Sequence, residues 1–239
     1  MLQTLLQSLP SWLAPLGSHA ASAAGTGASG VGQAAGRLDM ASLLALAAAL
    51  GWASGLRLYA VVFMVGVAGL LGWIPLPDGL ALLQHPAMLA ASGFMLFVEF
   101  FADKIPGVDS LWDIVHSVIR IPAGAALAAG VFGADGGTMT AVAALMGGTL
   151  AATSQAAKTT TRAVINTSPE PVSNVLASLA EDGVVVGALW LSTQHPLVFG
   201  VLLAIVVVLM WAMTWLLIKF LKAAFRRASR LFSGFAKVT

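Results

Sequence analysis

The sequence predicts an all-α, polytopic helical membrane protein of about six spans, with broken helices and an internal two-span repeat. Three observations predict it: an apolar composition, six apolar segments in series, and cations confined to alternate connections. Of 239 residues, 59% are hydrophobic and 9% charged, with a mean hydropathy of +0.91. Soluble domains carry about 25% charged residues, and so few charges cannot cover a soluble fold of this size. The apolar excess must face lipid. The absence of cysteine excludes disulfides, thiolate metal sites and cysteine nucleophiles. A net charge of +2 and a pI near 9.3 do not point to nucleic acid. Half of the twelve cations follow Ile218, where a basic tail anchors a membrane helix.

Residues 1–38 form an amphipathic N-terminal segment and a linker. Leu2, Leu5, Leu6, Leu9 and Leu13 recur at helical spacing beside Trp12, as in a helix lying on a membrane surface. A cleaved signal peptide is the rival, given the small residues from Ala20 to Ala24. Against it, the N-terminus lacks a cation and Pro10 interrupts the apolar run. Residues 17–38 are rich in Gly, Ala and Ser and read as a flexible linker.

The transmembrane helical domain covers residues 39–219. Its first apolar segment, Met40 to Ile74, exceeds the roughly 20 residues of one span, and Gly55 and Arg57 interrupt it. A break is expected there, with a half-helix before and a full helix after. The second segment, 86–104, opens at Pro86 and ends at Lys104-Ile105-Pro106-Gly107. The third, 109–132, is polar and then Ala-rich, with Pro122 and Gly124 between the halves. The fourth is 138–162. The fifth, 170–193, repeats the polar-then-apolar design with Gly183 at the join. The sixth, 197–218, carries no charge and leads into a basic cytoplasmic tail, 220–239.

With six spans, the connections on the C-terminal side hold Arg37, Lys104, Lys158, Arg162 and the tail. The opposite connections hold Asp78, Asp135 and His195 and neither Lys nor Arg. This pattern places both termini in the cytoplasm. Only Arg57 and Arg120 are left inside the bilayer.

Segments two and three resemble segments four and five. Each pair has a helix ending near a lysine (Lys104 or Lys158), a proline-containing turn, and a helix with one polar stripe. The first stripe is Asp109, Asp113, His116 and Arg120. The second is Glu170, Asn174, Ser178 and Asp182, with Glu181 beside it. Spacings of three and four put each stripe on one helix face. The helix before the first stripe adds Glu99 and Asp103, and the one before the second adds Gln155, Lys158 and Arg162. With six spans the repeat is parallel, and the two polar half-helices enter from one side.

Charged groups within a bilayer cost several kcal/mol and face a protein interior or a water-filled cavity. Two readings follow. In one, these groups are structural ion pairs, for instance Arg120 with Glu181 or Asp182. In the other, Glu99, Asp103, Asp109, Asp113, His116, Glu181 and Asp182 bind a small cation, a proton or a polar solute. Arg57, Arg120, Lys104 and Lys158 would then be internal counter-charges. Asp109, Asp113 and His116 have the chemistry of hard-cation or proton-relay ligands, though the pattern names no metal. Gly66, Gly69, Gly147 and Gly148 suit close helix contact. The tryptophans, from Trp52 to Trp215, read as interfacial belts. No hydrolase, zincin, phosphate-loop or dinucleotide motif is present, so an enzyme is disfavoured and no cofactor is expected.

The string from Val98 to Asp113, with Ser54-Gly55-Leu56-Arg57-Leu58-Tyr59 and Arg120-Ile121-Pro122-Ala123-Gly124, resembles the bacterial membrane-protein family catalogued as domain of unknown function 4126. The resemblance covers residues 40–193 and implies a helical inner-membrane protein. A looser similarity joins Glu99, Asp103 and Lys104 to cation exchangers carrying a Glu-x-Gly-Asp-Lys motif in each of two repeats. Here the two acids stand one residue further apart, and the second unit has Gln155 and Lys158 with no acid pair. The expected function is transport or channelling of a small ion or polar solute. The expected partners are the lipid bilayer, with an oligomer open, and not nucleic acid. The rival is a non-transporting structural or lipid-binding membrane protein in which Lys104, Lys158 and Arg162 meet lipid head groups.

Overall fold

The computed structural model describes residues 39–105, 107–167 and 171–235. The N-terminal arm, Pro106, Pro169 and Glu170 lie outside the described residues. Among those described are six α-helices: α1 (Met40–Leu70), α2 (Pro86–Ala102), α3 (Val108–Phe132), α4 (Thr138–Ile165), α5 (Pro171–Gln194) and α6 (Pro196–Phe235). Short 3₁₀ helices at Asp78–Gln84 and Ala134–Gly136 precede α2 and α4, and no strand occurs among these residues.

Helix α1 is the axis of the bundle and packs against all five others. Nearly every residue from Ala45 to Val62 is buried. Its small residues allow that. A Cβ added at Gly51 would lie 2.8 Å from the Gly147 carbonyl oxygen, and one at Gly124 would lie 2.8 Å from Ser54 Oγ. Helices α1, α3 and α4 therefore cross with backbones almost touching, as small residues permit in membranes. Asp39 caps α1 by accepting a hydrogen bond from the Ser42 amide at 2.8 Å. Those Ser42 hydrogen bonds hold the Asp39 carboxyl below the usual carboxylate range.

Helices α1 and α3, residues 172–194 of α5 and residues 196–223 of α6 are long and apolar enough to cross a membrane. The 3₁₀ helix Asp78–Gln84 and α2, bent by 66° to each other, make a fifth candidate when taken as one span. Length and composition thus support four or five spans. The remaining helix, α4, is about 42 Å long at 1.5 Å per residue. Its Thr, Gly, Gln155, Lys158 and Arg162 keep it below the apolarity of the others.

The expected break in α1 is present at Arg57, whose φ of −145° and ψ of 72° are non-helical. The longer arm precedes the break rather than following it. At the two other joins of polar and apolar halves the helix continues, α3 through Pro122 and α5 through Gly183. Proline costs a helix one N–H and its bond, which neighbouring helices offset in a membrane bundle. Nothing lies within 4 Å of where a Gly183 side chain would begin. That glycine costs only helix propensity. Trp52 is interior rather than interfacial, 3% exposed, with its indole N–H directed at Met210 Sδ. The residues named as a tail continue α6 as far as Phe235.

Candidate functional site

The break in α1 turns Arg57 into the middle of the bundle, where its side chain is fully buried. Its guanidinium pairs with Asp103 at 2.7 Å and Asp182 at 3.0 Å, approaches Glu181 at 3.7 Å, and donates to the Ser178 carbonyl at 3.2 Å. One side chain thus ties α1 to the end of α2 and the middle of α5. The carbonyl of Leu56, freed by the break, accepts from Lys158 Nζ at 3.0 Å. The distortion is therefore satisfied by the same cluster that it positions.

Lys158 is the hub of that cluster. Its ammonium lies 3.2 Å from Glu181, 3.3 Å from Asp113, 3.4 Å from Asp103 and 3.9 Å from Glu99. On one side, Arg120 pairs with Glu99 and, at 2.8 Å, with Asp113, and donates to Gln155 Oε1 at 2.9 Å. On the other, Arg162 pairs with Glu181 at 3.2 Å and donates to the backbone carbonyls of Asp103 and Asn174. Arg162 also stands 4.0 Å from Asp109. Six carboxylates, from Glu99, Asp103, Asp109, Asp113, Glu181 and Asp182, share four cations. The first four of those acids are fully buried, whereas Glu181 is 15% and Asp182 33% exposed. Glu99 Oε2, Asp103 Oδ1 and Asp113 Oδ2 are buried without a hydrogen-bond partner among the described residues.

Asp109 closes one end. It accepts from the amides of Gly107 and Ser110 at 2.9 and 2.7 Å and from Asn166 Nδ2 at 2.9 Å. Asn166 Oδ1 in turn accepts from Asn174 Nδ2 at 3.0 Å. The turns after α2 and α4 are tied together there. From Asp109 to Arg120 the network follows α3 for about 16 Å, roughly half the hydrocarbon thickness of a bilayer.

Three site expectations are corrected. Arg120 pairs with Glu99 and Asp113, and Arg57, not Arg120, takes Asp182 and Glu181. His116 stays out of the network: its ring stacks on Trp112 with centroids 4.0 Å apart, and Nδ1 bonds the Trp112 carbonyl. Among the described residues no three His, Asp or Glu side chains are grouped as a metal ion requires. Lys104 is no internal counter-charge. Its ammonium turns outward, donating to the Phe100 carbonyl at 2.9 Å and covering the Phe100 ring. Arg162, named beside the second stripe without a site role, and Asn166, which the sequence reading did not name, both hold the network. Lys158, Arg162 and Asn166 recur every fourth residue, the spacing that flagged Glu99 and Asp103, and that signal was available.

The class these features define is a helical membrane protein built around a buried network of ion pairs. Within that class the chain belongs to the family described as Domain of unknown function (DUF4126), which matches residues 44–216. The match extends past the resembling strings into α6. No curated protein and no solved structure matches the chain.

Proposed function

We propose that this chain is a transporter or channel for a small ion or polar solute, and that the buried acids are its proton site. The observation that carries this reading is the charge balance: six carboxylates on four cations, with one ammonium serving four acids. Unneutralised carboxylates are costly in a low-dielectric interior, and proton uptake relieves the excess. A proton needs no metal-like ligand geometry. The helix broken at mid-bundle and sealed by Lys158 resembles the discontinuous helices around which transporters build their sites. The partial exposure of Asp182 and Glu181 supplies an approach to the buried acids.

The same proposal takes the fold as six spans with α4 as the least apolar, both termini in the cytoplasm of an inner membrane. Two findings modify its support. Lys158 and Arg162 are buried partners, so orientation rests on Arg37, Lys104 and the basic residues after Ile218. The two units are complementary in charge: Glu99 and Asp103 on α2 match Lys158 and Arg162 on α4, each pair four residues apart. A repeat of this kind favours pairing between its halves.

The test is flux. Purified full-length protein in liposomes with an internal pH indicator should dissipate an imposed proton gradient, or couple it to a solute, faster than empty vesicles. Asp113→Asn should abolish this while keeping a cooperative thermal melt. A second reading, a non-transporting structural protein, is favoured by the fact that each inner cation has at least two carboxylates within 4.0 Å. Wild-type vesicles that move neither proton, ion nor polar solute across a broad panel would establish it in place of transport.

A further inference from the structure

A groove of about 310 Å³ opens between α1, α2 and α3. Val62, Met88, Ala91, Met95, Ala126 and Leu127 form its walls. Its two hydroxyl groups do not make it a polar site. Ser92 Oγ is spent on the Met88 carbonyl at 2.6 Å, and the lining that the groove exposes is almost wholly apolar. Apolar cavities of even ~150 Å³ stay dry and take up apolar guests, so water is not the occupant.

We propose that this groove holds one acyl chain of a bilayer lipid. The helices that form it turn large apolar side chains outward, Phe94 and Phe97 on α2 and Val118 and Ile119 on α3. That is the surface of a helix at hydrocarbon depth. A single flexible hydrocarbon chain, which needs no polar partner, suits a groove lined in this way. The site is independent of the transport reading and stands or falls without it.

The experiment uses the full chain in phosphatidylcholine vesicles containing a fraction of phosphatidylcholine with a diazirine in one acyl chain. The protein is extracted into detergent, bulk lipid is removed by gel filtration, and only then is the sample illuminated and digested. Retained lipid should label segments 88–95 and 123–127 at least several-fold more than the outward residues Val201 and Val208 of α6. Filling the groove with Ala91→Phe and Ala126→Phe should bring that labelling down to the level of α6. Ala126→Leu alone should lower it in part, and it decides the matter where the double variant fails to melt cooperatively. Loss of all lipid on extraction, labelling spread evenly over α6, or groove labelling unchanged by a folded filled variant would overturn the assignment.

Discussion

Helices α1 and α6 are both apolar enough to cross a membrane, yet they do opposite work. The most apolar stretch of α6 has the higher mean hydropathy, 2.8 against 1.7, and only 6% of it is buried, against 67% for α1. In water the more apolar helix would be the buried one. In a bilayer, lipid is as apolar as leucine, so hydropathy reports contact with lipid, and the interior goes to small and polar residues. Helix α1 accordingly spends its length on Ala, Gly and Ser, and on Arg57 at its break. Helix α6 spends its length on Val, Leu, Ile and Trp that face outward.

That contrast can be broken most forcefully at Arg57. Arg57→Ala leaves Asp103 and Asp182 without their nearest cation and should cost about 3–5 kcal/mol, as for other buried pairs that lose one partner. Thermal melting in detergent measures it. Adding Asp103→Asn should recover part of the loss, and strict additivity would contradict the pairing. Next in size is the backbone crossing. Gly51→Ala forces the Gly147 backbone aside and should cost about 1–3 kcal/mol. Gly187→Ala, where no atom lies within 4 Å of the new Cβ, should be neutral or slightly stabilising.

An effect of similar size is expected at the tie between the two turns. Asn166→Ala removes hydrogen bonds to Asp109 and Ser110 and the acceptor of Asn174, and should cost about 1–3 kcal/mol. It should also raise proteolysis near residue 107 at temperatures where the wild type resists. On α6, Val208→Ala should fall within about 0.5 kcal/mol of wild type in the same melt. A cost there approaching that at Gly51 would mean that α6 is covered by another protein surface rather than by lipid.

The helices and the break at Arg57 were legible in the sequence. An arginine close to a glycine inside an apolar run must turn away from lipid, and the glycine lets the helix give way there. The set of buried acids was legible for a similar reason, since Glu99, Asp103, Asp109 and Asp113 recur at helical spacing. Which cation meets which acid was not. Spacing identifies a face but not the helix that it faces. Central α1 delivers Arg57 to the acids of α5, while Arg120 stays with Glu99 and with Asp113 on its own helix. Lys158 and Arg162 looked like loop cations because α4 is the least apolar of the long helices. Its polarity reflects their burial in the network rather than an exposed end. Pro122 and Gly183 mark where a helix is weakened, and packing decides whether it bends.

The central claim is that the buried network carries a proton to balance its excess of acids. Infrared spectroscopy of the full-length protein in liposomes at neutral pH, with hydrogen and deuterium exchange compared, tests this directly. A protonated carboxylic C=O band that shifts on deuteration should be present in the wild type. It should disappear in one of Glu99→Gln, Asp103→Asn or Asp113→Asn, each checked for a cooperative melt. A wild-type spectrum with only ionised carboxylate bands at neutral pH would contradict the claim and leave the network as a set of structural ion pairs.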